Sequence, residues 1–340
     1  MLRRIAARGT APQRDAALET LATDQTMRLV RATHELLEAR SQRGLLSGPT
    51  AAKQRTVYDA QNTETLPGLS VRAEGAPPLA DAEANEAYDG LGATFDFFAG
   101  VYDRNSIDDE GLHLDATVHY GRRYDNAFWN GQQMVFGDGD GDLFNRFTVS
   151  LDVIAHELTH GVTGDEAGLV YLGQAGALNE SISDVFGSLV KQYARAETAD
   201  KADWLIGAGL FTSRVNGVAL RSLKAPGTAY DDPVLGRDPQ PAAMSGYVKT
   251  STDNGGVHTN SGIPNHAFYL AAIALGGHAW EKAGRVWYET LRDKRLKPTA
   301  TFAQFARYTV ANAAHFFGKV ERQAVAGAWS AVGVKTGSSA

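Results

Sequence analysis

Apolar residues recur at helical spacing in several stretches of the chain. The clearest is Ile182, Val185, Phe186, Leu189, Val190 and Tyr193, at i, i+3, i+4, i+7, i+8 and i+11, which predicts a helix with one core-facing stripe. Leu151, Ile154, Leu158 and Val162, at i, i+3, i+7 and i+11, predict a second, buried helix over 151–164. Ala87, Leu91, Thr94, Phe95 and Phe98 predict a third over 83–104, with Asp81 placed to cap it. Leu18, Leu21, Val30 and Leu37 among good helix formers predict another over 14–40, after a short helix from Leu2 to Arg8 ended by Gly9.

Strands are expected where the period falls to two. His113 to Tyr120 alternates, Gln133 to Phe136 does so after the turn at Asn130-Gly131, and Arg55 opens a further strand. Residues 67–78 read as a Pro and Gly loop, and residues 225–256, rich in Pro, Gly and Asp, as a long surface loop. From about Pro264 the pattern is helical again, broken at Gly276-Gly277, Pro298-Thr299 and Gly318. The class is therefore α+β, with a β-rich first half and a mostly α-helical second half. Gly44, Gly48 and Pro49 punctuate the chain, and Ser47 to Ala52 has the small, turn-prone residues of a linker open to proteolysis.

Composition narrows the chemistry. The chain of 340 residues contains no cysteine, so any metal must be held by His, Asp or Glu. No apolar run is long enough to span a membrane, and the first twenty residues lack the apolar core of a secretory leader. The net charge of −6 is uneven: residues 1–50 hold eight Arg against five acidic groups, and the remainder 25 basic against 34 acidic. A basic segment beside an acidic body suggests a partner within the same chain and argues against nucleic acid.

The helix at 151–164 carries His156-Glu157-Leu158-Thr159-His160. Imidazoles at i and i+4 lie about 40° apart around a helix, so both can reach one tetrahedral zinc ion. Glu157 lies about 100° from His156, where it can meet a water on such a metal rather than the metal itself. Downstream, Glu180 and Asp184 are also i and i+4, on a face away from the apolar stripe. Such a pair is commonly just solvated, but beside the histidines Glu180 is a candidate third ligand and Asp184 a candidate partner for a ligand histidine. The run Asp138-Gly139-Asp140-Gly141-Asp142 invites a calcium loop, but an EF-hand starting at Asp138 would need Gly and Glu where Leu143 and Val149 stand, so a tight acidic turn is expected. A lone His258 after a Gly turn is by itself more often structural than catalytic.

Taken in order, Asn126-Ala127-Phe128-Trp129-Asn130-Gly131, the His156 motif, Gly176-Ala177-Leu178-Asn179-Glu180-Ser181-Ile182-Ser183-Asp184 and Asp253-Asn254-Gly255-Gly256-Val257-His258 resemble the thermolysin-like zinc metallopeptidases. The resemblance runs from about residue 54 to the C-terminus. It implies a β-rich N-terminal catalytic lobe over 51–170 that includes the zinc-binding helix, and an α-helical lobe over 171–340, with substrate extended across a cleft floored by that helix. It makes His156, His160 and Glu180 the ligands of one zinc and Glu157 the base. Asp184 and Asn179 would orient the ligand histidines, Tyr171 and His258 would donate to the oxyanion, and Asp253 would orient His258. Arg221 would clamp a substrate carbonyl, and Asn126 with the Ala127 backbone would hold the peptide chain. Phe144, Phe147, Val153, Ile206 and Leu220 match the family's main specificity pocket, which implies cleavage on the amino side of large apolar residues.

Two departures accompany the resemblance. The family's double calcium site keeps Asp152, but its other positions are Lys191, Leu205, Ala208 and Gly209, none able to bind calcium through a side chain. That site is expected to be lost, with the Lys191 ammonium replacing its charge near Asp152. Residues 1–50 resemble the prosegment of the short-propeptide, protealysin-like branch. They imply an inhibitory propeptide acting in cis on its own chain, removed by cleavage near Ser47 to Lys53. The expected protein is then a monomer that acts on peptides, is exported by a route without a secretory leader or stays inside the cell, and has no nucleic-acid or membrane partner. Two rivals are a zinc-binding relic without turnover and a zinc hydrolase of another substrate class. Glu157, Tyr171 and His258 weigh against the first, Asn126 and Arg221 against the second.

Overall fold

A computed structural model of the chain describes residues 1–38 and 52–336, without the side chains of 25–38. Residues 47–51 of the expected linker and cleavage region lie outside the described residues. The chain divides into two compact units: Met1–Gly161, Gly207–Ala219 and Tyr230–Arg237 form the first, and Val162–Ile206, Leu220–Ala229 and Asp238–Ala340 the second.

In the first unit, helices α1 (Leu2–Arg8) and α2 (Ala11–Glu38) precede the sheet. They bury Ile5, Ala16, Ala17 and Thr20. Strands β1 (Arg55–Asp59) and β2 (Leu69–Ala73) are followed by α3 (Ala82–Tyr102), then by β3 (Leu114–Val118), β4 (Ala127–Trp129) and β5 (Met134–Phe136). The five strands lie in the order β2-β1-β3-β5-β4. β1, β3 and β5 run parallel, with Val57 opposite Ala116 and Thr117 opposite Val135, while β2 and β4 are antiparallel edges. Residues 69–73 were expected as part of a loop. They form an edge strand whose residues are mostly exposed, Leu69 among them, so no apolar alternation announces it.

Asp81 caps α3, accepting the Glu83 and Ala84 amides at 2.9 and 3.3 Å. The stripe read from the sequence, Ala87, Leu91, Thr94, Phe95 and Phe98, is buried. Helix α4 (Leu151–Glu166) then follows, covering the expected 151–164. α3 and α4 meet through a glycine, since a Cβ on Gly90 would lie 2.4 Å from Ile154 Cδ1. A Cβ on Gly161 would likewise lie 2.4 Å from Ile107 Cγ2. The seat of α4 in this unit is therefore set by van der Waals shape.

The acidic run forms the tight turn expected of it. The Asp140 carboxylate accepts the amides of Asp142, Leu143 and Phe144 at 2.9, 2.7 and 2.9 Å. Beside it, His119 bridges Asp138 (2.9 Å from Nδ1) and Asp81 (3.1 Å from Nε2). The hydrogen bond to Asp138, with that to Asp81, outweighs burial and pushes the His119 pKa up to about 9 from 6.5. A raised folded-state value means that the stabilisation is complete below about pH 6.5 and is lost as pH rises through about 9. Urea unfolding is expected to show a loss of about 1–2 kcal/mol across that window, discounted for partial exposure. His119→Gln should lack this slope, and equal slopes in the two proteins would rule the clamp out.

The long elements of the second unit are all helices. α5 (Gly173–Ala194) is buried on every side from Ala175 to Gln192. Glu180 and Asp184, 2 % and 0 % exposed, therefore do not occupy a solvated face. β6 (Leu205–Ile206) and β7 (Arg221–Ser222) pair antiparallel. α6 (Asp253–Asn260) is kinked where Asn254, Gly255 and Gly256 have positive φ, and α7 (Gly262–Leu275) follows. After a π turn at Trp280–Gly284 come α8 (Arg285–Leu291), α9 (Phe302–Phe316) with a Thr301/Gln304 capping box, and α10 (Lys319–Ala331). Trp287 stacks on Trp329 at 5.9 Å and meets Phe268 edge-on at 5.0 Å, forming the core between these helices. The stretch 225–256 is less superficial than expected. Ala229, Tyr230, Leu235, Asp238 and Gln240 are buried, and Asp238 carries the turn by accepting the Gly227, Ala229 and Gln240 amides.

Candidate metal centre

Helix α4 presents His156 and His160 one turn apart, their rings 4.8 Å apart and nearly perpendicular, with each residue 5 % exposed or less. With Glu180 of α5 they form a buried group whose ligand atoms all lie within 4.8 Å of one another. Ligands of a tetrahedral zinc sit roughly 3.4 Å apart, given bonds of about 2.0–2.1 Å. Two imidazoles and a carboxylate within that spread are a donor set zinc accepts, and it leaves a fourth position for water. The Asp81, Glu83 and His119 side chains are also clustered, but both His119 nitrogens are engaged by carboxylates, which makes that cluster an ion pair.

Glu157 stays partly accessible, its side chain 15 % exposed. The Trp129 amide at the end of β4 donates to its Oε2 at 3.3 Å. That contact was not anticipated, although Trp129 belongs to the motif that begins at Asn126. On the side of Glu180, the Tyr171 hydroxyl donates to Glu180 Oε1 and lies 3.0 Å from His258 Nε2. Asp253 holds His258 at both ends of its residue, 2.7 Å from Nδ1 and 3.0 Å from the backbone N–H. Burial pushes the Asp253 carboxyl up, but the His258 charge and hydrogen bonds overcome this and keep it below the usual carboxylate range. A carboxylate on Nδ1 favours the tautomer with a proton there and, once the ring is protonated, stabilises a cation that donates from Nε2.

Arg221 makes a two-pronged contact with Asp184, Nε at 2.8 Å and Nη2 at 2.7 Å, and Asn265 Nδ2 donates to the same carboxylate at 2.8 Å. Asn265 lies 81 residues from Asp184 in a plain helical stretch, and no sequence signal marked it. Asn179 donates to the Leu169 carbonyl at 3.1 Å. A Cβ on Gly176 would lie 2.5 Å from Val257 Cγ1, so this glycine lets α5 approach the helix that bears His258.

Asn126 precedes β4, and Ala127 opens it at the sheet edge. Of the apolar residues matched to a pocket, Phe144 and Phe147 are neighbours with ring centroids 5.8 Å apart, and Val153 is buried nearby in sequence on α4. Ile206 and Leu220 are joined by a backbone hydrogen bond of 2.9 Å. Asp152 accepts Ser150 Oγ at 2.7 Å and the Gly207 amide at 2.9 Å. The Lys191 ammonium donates to the Leu205 carbonyl at 2.6 Å and pairs with Asp203 at 2.7 Å.

Residues 11–164 match the family model described as thermolysin metallopeptidase, catalytic domain, and residues 167–334 the one described as its alpha-helical domain. The chain is 56% identical over 339 residues to an extracellular metalloprotease of Pectobacterium carotovorum subsp. carotovorum, covering 98% of this chain and 94% of that protein. It is 41% identical over 292 residues to a thermolysin of Alicyclobacillus acidocaldarius subsp. acidocaldarius, covering 82% of this chain and 50% of that one. Among solved structures it resembles the precursor of protealysin, a metalloproteinase from Serratia proteamaculans, with a TM-score of 0.89 and 56% identity over 98% of this chain and 97% of that one.

Proposed function

We propose, from the premise that this chain belongs to the thermolysin family of zinc metallopeptidases, a residue-by-residue account of its catalysis and latency. The protein is a zinc-dependent endopeptidase with a thermolysin-like α+β fold. Zinc held by His156, His160 and Glu180 would lower the pKa of a water towards 7 and polarise the scissile carbonyl. Glu157, fixed by the Trp129 amide, takes the proton of the attacking water and passes it to the leaving amine. Tyr171 and the Asp253-oriented His258 donate to the oxygen on which charge develops. The edge strand β4 suits an extended peptide, with Asn126 and the Ala127 backbone holding its main chain and Arg221 a carbonyl. Asp184 and Asn179 orient the ligand histidines.

The observation that carries this account is the convergence of three buried ligand atoms within 4.8 Å, with Glu157 one residue from His156. Phe144, Phe147, Val153, Ile206 and Leu220 would favour cleavage on the amino side of large apolar residues. Calcium at the family's double site is not part of the account, since Lys191, Leu205, Ala208 and Gly209 offer it no side-chain oxygen. The prosegment, residues 1–50, would inhibit in cis until it is cut, and the remaining 51–170 and 171–340 would be the two catalytic lobes. The processed monomer would act outside the cell, as the relative from Pectobacterium does by its name. No described helix is long and apolar enough to cross a membrane.

The test follows peptide hydrolysis and intact mass together over time, with and without a zinc chelator. Chelator-sensitive activity should appear as a segment of roughly 50 residues leaves. Loss of the segment with no peptide ever cut would favour the zinc-binding relic instead.

A further inference from the structure

Three consecutive residues just before the edge strand β4 are all held by helix α2. The Tyr124 hydroxyl donates to Asp24 Oδ1 at 2.6 Å, the Asp125 amide donates to Thr20 Oγ1 at 3.1 Å, and Asn126 Nδ2 donates to the same Asp24 oxygen at 3.0 Å. Thr20 is fully buried and Asp24 is 7 % exposed, so these contacts are sheltered from water. Burial pushes the Tyr124 phenol well above the usual tyrosine range, and the Asp24 charge adds to this, so the hydroxyl keeps its proton and remains a donor. A second anchor lies earlier in the segment, where Gln13 Nε2 donates to Asp142 at 2.6 Å.

We infer that Asp24 is the residue through which the prosegment blocks the substrate strand, its carboxylate oxygen standing where a substrate carbonyl would accept from Asn126. This rests on Asn126 holding the substrate, as proposed above. An extended peptide adding to the edge at β4 needs the donors that precede that strand, and α2 occupies them. A side-chain carboxylate suits the role because it accepts from two donors at once and charge strengthens both bonds. The mimic cannot itself be cut, because it is a side chain and offers no peptide bond at that place. Removal of residues 1–50 would return the Asn126 amide, the Tyr124 hydroxyl and the Asp125 N–H to an incoming peptide together. Asp24 thus acts by occupying binding groups, at a place distinct from the metal ligands.

Two measurements on the full chain test this. In the Glu157→Gln background, where no self-cleavage intervenes, hydrogen exchange of the α2 amides over residues 11–24 should quicken about tenfold or more on Asp24→Ala, as loss of a buried charged hydrogen-bond acceptor implies. Exchange of α3 should not change. With Glu157 intact, the initial rate on a fluorogenic peptide, read while intact mass still shows the uncut chain, should rise at least about tenfold in Asp24→Ala. Asp24→Asn keeps an oxygen acceptor and should lie nearer the parent in both measurements. Unchanged α2 exchange in Asp24→Ala would overturn the inference. So would quickened exchange without any rise in hydrolysis by the uncut chain, since Asp24 would then hold the helix without blocking the substrate. Asn126→Ala in the processed enzyme separates the underlying premise: an unchanged KM there would remove Asn126 from substrate binding, whatever the exchange of α2 shows.

Discussion

Glu157→Gln is expected to leave less than about 1 % of the peptide hydrolysis of the processed enzyme, since a positioned general base contributes about 10²–10⁴-fold. Gln has the shape of Glu, and its carbonyl oxygen can still accept the Trp129 amide that meets Oε2 at 3.3 Å in the parent. What it lacks is the basicity to take a proton from water. Zinc content and thermal midpoint should therefore match the parent while kcat/KM collapses. Retention of more than about one part in a hundred of the activity, with zinc in place, would show that another group is the base.

The second large effect is expected at His258. Its Nε2 lies 3.0 Å from the Tyr171 hydroxyl and its Nδ1 2.7 Å from Asp253, so the ring is fixed on both sides before substrate arrives. Preorganised donors of this kind are worth about 10²–10³ in kcat because they need no rearrangement as charge develops. His258→Phe fills similar space and cannot donate, so kcat should fall by about that factor with KM little changed. A fall in KM-dependent binding with kcat preserved would instead mean that His258 holds the ground-state substrate. An unchanged rate would remove it from the mechanism.

The sequence disclosed much of this site because its parts repeat at helical intervals. The spacing of His156 and His160 placed both rings on one side of a helix, and α4 puts them there. Glu180 and Asp184 show the limit of the same method. Periodicity assigned them to a face away from the apolar stripe, yet α5 is enclosed on all sides, so polar residues there are buried too. A pattern along one helix does not reveal what packs against its polar side. Strand β2 escaped notice for the opposite reason: as an edge strand with mostly exposed side chains it has no buried face to impose alternation. The Gly turn expected before His258 is present, since Asn254, Gly255 and Gly256 all have positive φ, and what it concealed is the short run of helix in α6 that follows them. The grip of Asp24 on Asn126 joins residues 102 positions apart, and nothing local in either segment encodes it.

The glycines of α4 and its neighbour bear on how such a chain can drift. Gly161 and Gly164 sit three residues apart in one helix and look interchangeable, but a Cβ at 164 would meet nothing within 4 Å while one at 161 would strike Ile107. Position 164 is free to take alanine, a better helix former. Positions 90 and 161 are bound to their partners, and a descendant that replaces either glycine must shrink Ile154 or Ile107 in compensation. The metal-bearing helix thus imposes paired substitutions on lineages that keep the enzyme working, and their mark would fall at residues that touch neither metal nor substrate.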